Sequence, residues 1–263
     1  MKFYNNILVL VILGSFAACS TTDDEPENNN PVAVNTPPPY GGTIFIENEI
    51  VTSDDSSSFT SLEDKGTGDR TVFDRRINDW TTINAFLFKA EYADGDAIEI
   101  QVNPEFNTVA LARAEAEKYA KEVGRLPVVL RSDVEYVWVH KGTELYGGGN
   151  RSILIHTGQT AIYENDGILE ETLIHEAAHT SLDADHATAA AWRAAQTADA
   201  TFISDYAKEY PEREDIAESY LMYLAVTFRA DRISEENKRK IETAIPNRIA
   251  YFNSLNLNNS PIN

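Results

Sequence analysis

An α+β fold, in which a mixed β-sheet leads into one central helix and then an all-helical C-terminal part, is predicted by three observations. Apolar runs that alternate or continue for four to eight residues crowd the stretch from Trp80 to Gly158, where strands are expected. A segment of helical character, ILEETLIHEAAHTSL (168–182), comes next. Everything beyond residue 186 reads as helix, with breaks near Asp199, Pro211, Asp231 and Pro246.

Taken in order, TIFIENEIV (43–51) suits a short strand, while SDDSSSF and DKGTGD are loop-like. INAFLFKAEY and AIEIQVN, separated by the turn ADGD, predict a β-hairpin. Pro104 opens an Ala/Glu/Lys-rich helix that Gly124 closes. LPVVLRS and VEYVWVHKG are expected as strands, followed by a glycine-rich turn, LYGGGN, that would form a mobile rim. RSILIHTG is a further strand, and NDG breaks the chain before the helix at 168–182.

The N-terminus carries a different signal. Lys2 precedes ILVLVILGSFAA, an apolar run too short to span a membrane stably, and small residues end it just before Cys19. Residues 1–18 therefore read as a signal peptide. FAAC resembles the lipobox of bacterial lipoproteins, which implies lipidation of Cys19 and a membrane contact made by acyl chains alone. Residues 19–42 are polar and proline-rich, the composition of a flexible tether. Asp23, Asp24 and Glu25 resemble the export signal of surface lipoproteins in Bacteroidota-type bacteria, implying an outer-membrane and surface-exposed location on the cell envelope. Residues 43–263 remain as one domain, with 43% apolar residues across the chain to form a core. The net charge of −20 argues against a nucleic-acid partner and against electrostatic docking to anionic lipid. Cys19 is the sole cysteine, so no intrachain disulfide forms.

Within the central helix, His175 and His179 are four residues apart, with Glu176 between them in an HExxH pattern. One helical turn places two such rings on one face, their Cβ atoms about 5–6 Å apart, close enough to share a metal ion. Glu176 lies roughly 100° around the helix, beside that ion without occupying a coordination position. A catalytic zinc needs a third protein ligand and keeps one position open. Three residues compete for that place. Asp185 follows His179 by six residues, a spacing that needs the helix to break at Leu182 in an unusual backbone. His186 lies one further along. Glu214 is the strongest, because it opens the apolar segment EDIAESYLMYLAV after Pro211 and shares a helical face with Glu218. Two carboxylates on an apolar helix call for a cation or a hydrogen-bonding partner.

On HExxH and this ExxxE pair the chain resembles the gluzincin-type zinc metallopeptidases. YAKEYPEREDIAE is similar to the end of lethal-factor-type peptidase domains, the resemblance covering about residues 150–230. It implies a zincin-like fold and one Zn2+ held by His175, His179 and Glu214. It further implies Glu176 as general base, Glu218 orienting a ligand histidine, and Tyr206, or Tyr210 in its place, stabilising the transition state. The strand before the motif helix is often a sheet edge in such folds, so Ile153, Leu154 and Ile155 are expected to pair with a peptide or protein substrate through their main chain. His140 and His156 are read as ordinary strand residues. Zinc-dependent hydrolysis of peptide bonds is thus the expected function. A zincin-fold lipoprotein that binds a peptide, glycan or protein without cleaving it is the alternative, and a structural or adhesive lipoprotein a third.

Overall fold

The computed structural model describes residues 36–47 and 49–263. The expected signal peptide, Cys19 and most of the tether lie outside the described residues. The tether ends sooner than residue 42. Tyr40 already bridges Ser204, and its hydroxyl donates to Asn237 Oδ1 at 3.0 Å. In TIFIENEIV, residues 43–47 and 49–51 form turns and bends rather than a strand, and Ile50 and Val51 are buried.

Six strands form one mixed sheet in the order β1-β2-β3-β4-β6-β5. They are β1 (Phe59–Asp74), β2 (Asp79–Tyr92), β3 (Gly95–Val102), β4 (Tyr136–His140), β5 (Gly147–Gly149) and β6 (Ser152–His156). β1, β2 and β3 are antiparallel neighbours, β3–β4–β6 are parallel, and β5 returns antiparallel at the edge. β1 runs through DKGTGD, which read as loop, because most of its side chains face solvent and it carries little apolar signal. Pairing with β2 holds it, with a register shift at Gly66, whose φ of 77° few other residues adopt readily.

Helices cover one face of the sheet: α1 (Val109–Val123), the single turn α2 (Val128–Arg131), α3 (Thr157–Asp166) and α4 (Leu169–Ser181). Behind α4 follow α5 (Asp183–His186), α6 (Ala190–Ala198), α7 (Asp205–Glu209), α8 (Asp215–Phe228), α9 (Glu235–Ala244) and α10 (Pro246–Ser254). This is the α+β arrangement expected. Thr108 caps α1 by accepting from the Leu111 amide. LPVVLRS is a helical turn rather than a strand. Its amides at Val128 and Val129 donate to the C-terminal carbonyls of Ser260 and Asn258, while buried Arg131 pairs with Asp94 at 2.5 Å. An apolar run this short carries no periodicity that separates the two outcomes.

Side chains alternate across the sheet. Val137, Val139, Ile153 and Ile155 enter the main core with α1, α4 and α8, whereas Val72, Trp138 and Leu154 form a small cluster on the opposite face.

His140 and His156, at the ends of β4 and β6, stack with ring centroids 5.7 Å apart and are almost fully buried. Asn103 Nδ2 donates to His140 Nδ1 at 2.9 Å, which leaves that ring neutral. Burial, with Arg76 and His156 alongside, pushes His140 down to about 4 against the opposing pull of Asp74 and Glu105. An unfolded chain takes up a proton at this position near pH 6.5, the folded one only near pH 4. The stability so conferred is complete above about pH 6.5 and is lost as pH falls toward 4. At full effect it amounts to about 3 kcal/mol. Glu171, whose carboxyl is pushed up to about 8 by burial, acts in the opposite direction as pH falls from about 8 to 4.5, a window that only partly overlaps that of the histidine. Denaturant unfolding of wild type and His140→Gln from pH 7 to pH 4 isolates the histidine: the variant should show the flatter loss. Superimposable profiles would count against this account.

Candidate metal centre

The site is assembled by two helices that cross behind the sheet, α4 and α8. α4 carries HExxH because its apolar residues Leu173, Ile174, Ala177 and Ala178 are wholly buried, which turns the histidine face toward α8. Small Ala177 and Ala178 admit close neighbours. Glu214 immediately precedes α8, at the end of the turn that Pro211 introduces, and the first three turns of the helix are buried on all sides. Its start is pinned by a buried cation. Arg248 donates to Asp215 and to Asp199, each at 2.9 Å, with all three side chains fully enclosed.

This convergence places three ligand atoms together. His175 Nε2 and His179 Nε2 are 3.2 Å apart, and Glu214 Oε2 lies 3.4 Å from the first and 3.1 Å from the second. Donors about 2.0–2.1 Å from one tetrahedral ion stand about 3.3 Å from each other. Among the described residues this is the one group of His, Cys, Asp or Glu side chains with such geometry, and it can hold a metal ion.

The hydrogen bonds around the trio support the same use. Asp183 Oδ2 is 2.8 Å from His179 Nδ1, so that nitrogen carries the proton and Nε2 offers its lone pair. Glu218 Oε1 stands 3.5 Å from His175 Nδ1, an ion-pair distance too long for a firm hydrogen bond. The other Glu218 oxygen accepts from the Thr43 amide at 2.9 Å and the Ser204 hydroxyl at 2.6 Å, which fixes the carboxylate facing the ring. Arg213 donates to Glu214 Oε1 at 2.7 Å and leaves Oε2 to the imidazoles.

Two imidazole lone pairs and a carboxylate oxygen thus face one another in a mostly buried space. Without positive charge they repel. Although burial works against a charged ring, Asp183 and Glu214 push His179 up to about 10. Burial raises Glu214 too, yet the two imidazoles beside it hold it well below the usual carboxylate range. A cation among them would relieve that repulsion, and the spacing of the three atoms suits a metal ion.

A cleft of about 1030 Å3 opens over the trio. Glu176 lines it and is only partly buried. Tyr206 stands on its rim, its hydroxyl held up in pKa by burial and by the charge of Glu214. Tyr210 packs its ring 5.4 Å from that of Tyr206 and does not line the cleft. One wall is the strap Gly41–Phe45, far from the motif in sequence.

Several expectations are corrected here. Leu182 keeps a right-handed backbone (φ −116°, ψ −30°), so α4 runs into α5 and carries Asp185 and His186 away. His186 instead meets the Tyr251 hydroxyl at 2.7 Å. Ile153, Leu154 and Ile155 lie on no sheet edge. β6 is paired with β4 along its length and, from Ser152 to Leu154, with β5 on the other side, so it is an interior strand rather than the edge expected. The free edge is β5, the segment GGG, which read as a turn. Asn150 and Arg151, with φ of 51° and 58°, make the two-residue turn that folds β5 back on β6. β5 rests directly on the motif helix. A Cβ at Gly148 would lie 1.8 Å from the Glu176 carbonyl oxygen, so only glycine fits.

Asp183, Arg213 and Thr43 were not singled out from the sequence. Asp183 had a legible signal, since it follows His179 by one helical turn. Thr43 had none, because its partner lies 175 residues away. No protein-family model, curated protein or solved structure matches the chain.

Metal analysis of protein purified without chelator should give one divalent metal ion per chain in wild type and in Asp185→Ala, and none retained in Glu214→Ala. Asp183→Asn should keep the fold and weaken metal affinity about 10–100-fold. Equal metal content in wild type and Glu214→Ala would remove this carboxylate from the site.

Proposed function

We propose that this chain is a zincin-like metallopeptidase of the HExxH…E type that hydrolyses peptide bonds with one zinc ion held by His175, His179 and Glu214. The observation that carries the proposal is the meeting of those three ligand atoms at tetrahedral spacing, with the Glu176 carboxylate in the same cleft. Zinc is favoured over other divalent ions by the donor set of two imidazoles and one carboxylate. When bound, such an ion supplies Lewis acidity, which makes a water more acidic and polarises a substrate carbonyl.

The remaining chemistry falls to side chains of this protein. Glu176 accepts the proton of the attacking water and returns it to the leaving amine. Its place beside His179 rather than among the ligand atoms suits that exchange. Tyr206, on the rim next to Glu214, donates a hydrogen bond to the oxyanion as it forms, a contribution of about 2.7–4 kcal/mol in comparable sites. Asp183 holds the His179 imidazole in the tautomer that directs Nε2 inward, and the Glu218 carboxylate faces His175 Nδ1 at 3.5 Å.

An extended peptide is aligned by the edge strand β5. β5 pairs with β6 alone and lies at the edge of the sheet, so a substrate main chain can be added beside it as a further strand. This replaces the role first expected of Ile153–Ile155.

Attachment to the cell envelope through Cys19 belongs to the same proposal and rests on residues 1–25 of the sequence. Among the described residues no helix is long and apolar enough to cross a membrane.

Glu176→Gln separates catalysis from metal binding. The variant should retain its zinc and its affinity for peptide while losing at least about 100-fold in kcat, the scale of a general base. Undiminished cleavage by Glu176→Gln, or no cleavage of any peptide in a broad library by zinc-loaded wild type, would refute the hydrolytic reading.

A further inference from the structure

We propose that a second cavity, on the far side of strand β5 from the metal centre, binds one large apolar or aromatic side chain of an extended peptide and so sets the specificity of the cleft. This rests on the reading of β5 as the strand that aligns a peptide. The cavity measures about 220 Å3 and is formed by Phe73, Trp80, Trp138 and Leu154, with Arg75, Asn150 and Ser152 beside the glycines of β5.

Its origin is visible in the sheet register. Gly147 pairs with Leu154, and Leu154 with Trp138, so the three lie in one row across β5, β6 and β4. Leu154 and Trp138 belong to the cluster on the face away from the helices. The long β1–β2 hairpin extends past its neighbours, and its end brings Phe73, Arg75 and Trp80 over the same row. Trp80 meets Trp138 edge to face at 5.5 Å and Phe73 at 5.7 Å, yet remains 47% exposed. A conventional edge strand would complete this cluster with side chains of its own. Here Gly149 leaves the row open, and Gly147 makes room for the Arg75 guanidinium. A Cβ at Gly147 would come within 2.7 Å of the Arg75 guanidinium, and at Gly149 it would meet open space.

The occupant follows from strand geometry. Side chains of a strand added to β5 point alternately to the two faces of the sheet. One set faces α4 and the metal ligands. The other passes over Gly147 and Gly149 toward Leu154, Trp138 and Trp80. Arg75 and Gly147–Gly149 line both the main cleft and this cavity, so one chain can reach both. A sugar ring is the poorer fit, since stacking needs an open aromatic face, whereas these indoles meet edge to face and Trp138 is only 5% exposed. Burying a phenylalanine in place of alanine in such a pocket favours the peptide by about ten- to a hundredfold.

The test uses zinc-loaded protein and a set of Ala/Ser decapeptides in which a single Phe is moved along the chain. Binding to Glu176→Gln is measured by calorimetry, and cleavage by wild type is measured on the same set. Phe should be preferred at one position and not at the residues immediately beside it. Trp80→Ala, a rim residue whose loss should leave the unfolding midpoint near that of wild type, should reduce the Phe-to-Ala ratio about tenfold. Phe73→Leu should reduce it less. Cleavage with the same ratio in wild type and Trp80→Ala overturns the pocket and leaves the peptidase. Phe-selective binding that Trp80→Ala abolishes, without cleavage by wild type, upholds the pocket and overturns the hydrolysis. Neither binding nor cleavage overturns both, as does a Trp80-dependent affinity for oligosaccharides with none for the peptides.

Discussion

Three lone pairs pointed at one spot are the constraint on which the remainder of this structure depends. Two imidazole nitrogens and a carboxylate oxygen, 3.1–3.4 Å from one another, are an unfavourable arrangement unless a cation sits among them. Folding alone has no reason to bring them together, because an apolar contact between α4 and α8 would be easier to form. Much of the C-terminal half is instead organised so that they must meet. Arg248, buried between Asp199 and Asp215, ties the first residue of α8 to α10 and to the loop after α6. Replacing such a buried ion pair by apolar side chains often costs nothing in stability. Here its use is positional, since Asp215 is the neighbour of Glu214 and the register of α8 fixes which carboxylate faces the histidines.

The strap Gly41–Phe45 is held to the same purpose. It crosses the start of α7, where Asp205 and Tyr206 donate their amides to the carbonyls of Tyr40 and Gly41. Thr43 then places its own amide on Glu218. Segments distant in sequence therefore converge on one carboxylate that faces His175. A domain boundary drawn at residue 43 from composition alone divides this strap, because prolines and glycines up to Gly42 have the composition of a linker while Tyr40 already makes structural contacts.

Legibility followed the locality of the signal. HExxH, Glu214 and Glu218 could be read because each pair is one helical turn apart and sits on an apolar helix. The hairpin β2–β3 could be read from alternation. β1 could not, since its polar, solvated side chains leave pairing with β2 as its support. α3 could not either. Thr157, Gly158, Thr160 and Ile162 are poor helix formers. The helix is imposed by contacts: the Gly158 amide donates to the Gly142 carbonyl at 2.7 Å, and Tyr119 and Tyr146 both reach the Thr160 hydroxyl. The strand RSILIHTG was identified correctly as a strand but placed wrongly in the sheet. Nothing local says that three glycines upstream will fold back and take the edge.

Those glycines deserve a physical account, since GGG is among the weakest of strand sequences. Each position excludes a side chain or leaves space for one from elsewhere. Gly148 has the Glu176 carbonyl against it, which lets the strand lie on the backbone of the motif helix. Gly149 has the positive φ of 112° and gives its amide to Thr180, whose hydroxyl lies within hydrogen-bonding distance of both the Ser152 and Glu176 carbonyls. Gly147 lies under Arg75. A strand with side chains would be more stable by itself but would stand off from α4 and fill the row above Leu154. The sequence thus gives up intrinsic strand stability at the one edge that borders the metal ligands. It recovers the position of that edge through Thr180 and the tight turn at Asn150–Arg151. On the proposed function, the result is a bare main-chain ledge fixed to the same helix as the general base. Substrate backbone and catalytic carboxylate are then referenced to a single rigid element, and the alignment does not depend on a flexible rim.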